Sequence, residues 1–128
     1  MHTSKNYVYD QHFENFEWLN KLFFYKDEIS VLQARLQEVA ALNNSREFLA
    51  QLEHLQNQLI VQRDLIDRIK HDVNENEEVL EKNISENPVS SDHRKVDDHI
   101  EEREVVLAFD KNFHQLRKEL NTFFARWL

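Results

Sequence analysis

No glycine occurs anywhere in this chain of 128 residues. Glycine gives the backbone its low-cost entry to positive φ, and the tight hairpins that join sheet strands depend on it. A single proline, Pro88, is the one residue that resists a helix interior. A chain of this kind is confined to a few long helices joined by short loops, so the all-α class follows before any periodicity is read.

The spacing of apolar residues predicts three helices, over about residues 10–42, 45–83 and 91–127. In the first, Trp18, Leu22, Tyr25, Ile29, Leu32, Leu36 and Val39 alternate four and three residues apart, which is a heptad seam. In the second, the same spacing runs through Phe48, Leu52, Leu55, Leu59, Gln62, Ile66, Ile69, Val73, Asn76 and Leu80. Gln62 and Asn76 are its polar members, expected to set register or to reach solvent. Val106, Phe109, Phe113, Leu116, Leu120, Phe123 and Trp127 form the third seam. Asn43-Asn44-Ser45 interrupts the first pattern, and Asn44 with Glu47 matches a capping box that would start the second helix. Pro88 and its polar neighbours mark the second turn. Short turns between helices of similar length imply an up-down-up antiparallel bundle, with residues 1–128 as one domain. In outline such a chain resembles spectrin-type repeats, and Trp18 is similar in kind to their helix-one tryptophan.

The absence of cysteine removes disulfides, thiolate metal sites and cysteine nucleophiles. The N-terminal residues lack the apolar run of a signal peptide, and no stretch approaches the ~18 apolar residues of a membrane span. A cytoplasmic protein without membrane contact is the expectation. The net charge of −8 opposes binding to nucleic acid, whose phosphates call for clustered Lys and Arg. Residues 72–104 carry twelve acids against Lys82, Arg94, Lys95 and Arg103, so this segment holds the whole charge imbalance.

Seven histidines among twenty-four carboxylates prompt a search for metal ligands. Bundle di-iron proteins use Glu-x-x-His motifs on facing helices, and this chain has none. His71 with Glu75, His93 with Asp97 and Asp110 with His114 have the four-residue spacing that shares a helix face. The run from Asp72 to Glu78 starts like a calcium loop, then has Glu77 where the turn glycine belongs and Asn83 where a bidentate Glu belongs. His99, near Glu102 and Arg103, is expected to be a structural histidine in a partly buried polar cluster. With no nucleophile constellation and no glycine-rich phosphate loop, no catalysis, metal or cofactor is expected.

The N-terminal half of the first helix is apolar nearly all round, since Phe13, Phe16, Leu19, Phe23 and Phe24 lie off the Trp18/Leu22/Ile29 seam. These five residues are the expected interaction surface. Val96, Ile100 and Leu107 deviate similarly on the third helix. In an up-down-up bundle both deviations fall at one end, where the acids also gather. The reading is a non-catalytic interaction or assembly module that forms a homodimer or binds another helical protein. The alternative is a bundle that holds a metal or ligand with His and carboxylate side chains.

Overall fold

A computed structural model describes the backbone of residues 4–86 and 93–128, and the side chains of residues 9–82 and 98–128. It contains three helices, α1 (Ser4–Ala40), α2 (Arg46–Glu86) and α3 (His93–Trp127). At 1.5 Å per residue they are about 53–62 Å long. Both α1 and α2 extend beyond the stripes that announce them, because backbone hydrogen bonding can carry a helix past the end of its apolar face. Pro88, Ser90 and Ser91 lie outside the described residues.

The first turn differs in detail from the expected capping box. The Leu42 N–H donates to the Val39 carbonyl at 2.9 Å, closing the last turn of α1. Asn43 then accepts the Ser45 N–H on its side-chain oxygen at 2.9 Å. Ser45, one residue past Asn44, is the N-cap, since its hydroxyl accepts the Phe48 N–H at 3.3 Å and its carbonyl accepts from Leu49 at 3.0 Å. Glu47 is thereby freed to meet Arg126 of α3 at 2.8 Å. No described residue has positive φ, in keeping with a chain without glycine.

The helices form the expected antiparallel bundle. Side-chain contacts tie residues of α1 to residues 85–89 positions later on α3, which is the signature of two parallel helices held in one register. Contacts of α2 run the other way, from His12 against Glu77 and Lys26 against Asp67 to Glu47 against Arg126. The three heptad seams converge on one core in which Leu22, Ile29, Leu36, Phe48, Leu59, Ile66, Phe113 and Leu120 are fully enclosed. At the end near the first turn the core is aromatic. Phe48 stacks on Phe123 at 5.5 Å and meets Trp127 edge-on at 5.2 Å, while the Trp127 indole N–H donates to Gln51 at 3.0 Å. Midway, Tyr25 lies 4.6 Å from Phe113 and hydrogen-bonds Asp110 of α3. Gln62 is buried as a seam residue and leaves Oε1 without a protein partner beside a small polar groove.

Among the described residues no helix is long and apolar enough to cross a membrane.

Candidate functional site

The end of the bundle that holds the start of α1 has a core of a different kind. The heptad spacing of α1 continues backward from Trp18 to Asn15 and Gln11, and that of α3 from Val106 to Glu102 and His99. These inward positions are polar, yet Gln11, Asn15 and His99 are buried, with Asn15 only 1% and His99 only 4% exposed. Buried polar groups need partners, and this layer is wired across all three helices.

From α1, Glu14 receives three guanidinium hydrogen bonds from Arg103 of α3 at 2.6–3.1 Å and lies 2.6 Å from Nε2 of His99. The imidazole of His99 stacks on the Trp18 indole. Burial pushes the His99 pKa down, against the upward pull of the Glu14 hydrogen bond, and the balance falls below its ordinary 6.5. Burial pushes Glu14 up, but the hydrogen bonds from Arg103 and His99 outweigh it and hold the carboxyl below its ordinary 4.5. His99 is therefore buried within a polar cluster, as expected. Its carboxylate partner is Glu14 from another helix and not its neighbour Glu102.

On the α2 side of the same layer, Asn15 donates to Glu77 at 3.0 Å, and the other Glu77 oxygen meets Nδ1 of His12. Glu81 lies one turn further along α2. One ligand atom from each of His12, Glu77 and Glu81 falls within 4.8 Å of the others. The Asn15 carbonyl oxygen, buried behind this group, has no hydrogen-bond partner. Between α2 and α3, Asp72, Glu75, Asp98, Glu101 and Glu102 line an acidic crevice of about 260 Å³. Burial first and Asp72 second raise the Glu102 carboxyl above its ordinary 4.5, and its Oε1 is also unpartnered.

The histidine pairs picked out by spacing are less engaged. His71 and Glu75 sit 3.2 Å apart on an exposed face, and His114 lies 3.8 Å from an Asp110 already engaged with Tyr25 and Lys21. The side chains of His93 and Asp97 lie outside the described residues. Residues 72–78 are uninterrupted helix, so no calcium loop forms there.

The five apolar residues of the expected interaction surface divide into two groups. Leu19 is half-buried and packs against the core. Phe13, Phe16, Phe23 and Phe24 are 61–69% exposed, and Tyr9 and Val31 are exposed beside them. Tyr9, Phe13, Phe16, Asn20, Phe23 and Asp27 are spaced four, three, four, three and four. They constitute a second heptad stripe on α1, about 180° from the core seam at 100° per residue.

Comparison with known proteins finds no family model, no curated relative and no solved structure that matches this chain.

Proposed function

We propose that this chain is a non-catalytic helical assembly module that forms a homodimer through the outward face of α1. The observation that carries the reading is the second heptad stripe. A helix with two opposed stripes of 3.5-residue period can satisfy one in its own bundle and the other only against another helix. The three phenylalanines of the stripe and Phe24 beside it expose roughly 130 Å² each, taking about 200 Å² for a whole Phe. Pairing two such faces would bury about 1,000 Å², the lower bound for a specific interface.

A second copy of the chain is the occupant that fits. Phe16 and Phe24 lie four residues to either side of Asn20, so an antiparallel pairing of two α1 helices about Asn20 sets each Phe16 against the partner's Phe24. Asn20 would then face itself on the twofold axis, where amide groups can bond to each other and fix the register. Antiparallel pairing also sends the two acidic ends in opposite directions, which reduces repulsion between chains of net charge −8.

Sedimentation equilibrium tests this reading. The unmodified protein is expected at twice the chain mass, and Phe16→Asp combined with Phe23→Asp is expected at one chain mass with its helical circular dichroism retained. A wild-type monomer at high micromolar concentration would reject the proposal, as would a double variant that stays dimeric or unfolds.

A further inference from the structure

We propose that His12, Glu77 and Glu81 bind a divalent first-row transition-metal ion, which fastens the start of α1 to the last turns of α2. The ligand types suit that class. One imidazole nitrogen with two carboxylates matches ions of intermediate softness such as zinc(II), manganese(II) and cobalt(II), whereas calcium and magnesium prefer oxygen alone.

The placement suits it as well. Glu77 and Glu81 are four residues apart and so project from one face of α2, and His12 reaches that face from α1. Bonds of about 2.0–2.2 Å put two ligands of one ion about 3–4 Å apart. The three candidate atoms lie within 4.8 Å of one another, so only a small closure separates them from that spacing. His12 and Glu81 are accessible from solvent and leave room for water on the remaining coordination positions, while Glu77 is more enclosed.

A second observation separates this group from an ordinary acidic surface. Asn15 is buried behind it, donates to Glu77, and leaves its carbonyl oxygen unpartnered. The amide holds one Glu77 oxygen, as the outer partners of metal-binding carboxylates do. Binding would replace the hydrogen bond between His12 and Glu77 by bonds from both side chains to the metal, with the bridging proton released to solvent.

Cobalt(II) titration of chelator-stripped protein, followed by visible absorption, tests the site. One cobalt(II) per chain is expected, displaced by zinc(II) and not by magnesium(II). His12→Ala and Glu81→Gln should each weaken binding at least about tenfold with circular dichroism unchanged. His71→Ala, which alters the exposed His71/Glu75 pair, should have no effect. No cobalt(II) spectrum at millimolar metal, an affinity unchanged by His12→Ala, or a loss caused by His71→Ala would each overturn the assignment. None of these readings depends on the oligomeric state, so this test and the mass measurement fail separately.

Discussion

The imidazole of His99 lies nearly flat on the indole of Trp18, with ring centres 4.8 Å apart and planes 22° from parallel. It is thereby sealed into the core while its Nε2 faces Glu14. Burial lowers the His99 pKa, Glu14 opposes the fall, Arg103 adds to it, and Glu77 on α2 opposes it more weakly. A histidine that is harder to protonate when folded contributes stability that is complete above about pH 6.5 and is lost as pH falls from there toward the folded value. The melting temperature should therefore decline between pH 7.5 and pH 5.5, and less so in His99→Gln. Equal declines in the two proteins would show that His99 is not the group responsible.

Glu102 gives a prediction of opposite sign. Its folded pKa is raised, so the ionised carboxylate at neutral pH costs stability, and that cost disappears once the group is protonated in both states. Glu102→Gln keeps the shape and removes the charge. It should raise the melting temperature at pH 7 and leave it unchanged at pH 3.5, below the ordinary 4.5. A destabilised variant at pH 7 would mean that the carboxylate has a cationic partner in solution.

Repulsion within the acidic segment should respond to salt. Residues 72–104 hold twelve acids against four bases, and Asp72 and Glu75 of α2 face Asp98 and Glu101 of α3 across the crevice. Raising ionic strength from about 0.01 M to about 0.15 M shortens the screening length from ~30 Å to ~8 Å. The thermal midpoint should rise over that interval, and a flat or falling midpoint would contradict net repulsion at this end.

The two faces of α1 should differ in what truncation costs. Leu22 is enclosed in the core, so Leu22→Ala should destabilise the fold by about 2–5 kcal/mol. Phe16→Ala removes an outward side chain and should change monomer stability by no more than about 0.5 kcal/mol. Urea unfolding at concentrations low enough to dissociate any dimer separates the two, and similar losses would place Phe16 in the core.

In the proposed dimer, Asn20 should govern orientation more than strength. A polar residue inside an apolar helix pair lowers affinity and excludes registers that leave it unpaired. Asn20→Leu should therefore tighten self-association while admitting parallel pairing. Distances between spin labels placed near the end of α1 would show a second, shorter population in the variant. A single population identical to wild type would remove Asn20 from that role.

The linear order of residues was sufficient to determine the all-helical fold and its topology. Without glycine the chain has no ready access to the turns a sheet demands, and seams such as Trp18 to Val39 and Val106 to Trp127 are local patterns that a helix turns into faces by its own geometry. The outward phenylalanines were legible for the same reason, because an angle around a helix is set by spacing along the chain. Leu19 was not, since its half-buried position depends on how closely the neighbouring helices approach. Ser45 in place of Asn44 as the cap reflects a local competition, settled when Asn43 accepts the Ser45 N–H.

Tertiary structure alone decided the polar layer. Its contacts join residues 62–89 positions apart, and the partner of Glu14 or of His12 depends on the register in which three helices pack. Spacing within one helix could nominate His71 with Glu75, which proved to be an exposed surface pair. It could not nominate His12 with Glu77 and Glu81, because only the antiparallel return of α2 brings those atoms together. The 3.6-residue period of a helix makes its faces readable along the chain, whereas a polar core is made between helices and carries no period of its own.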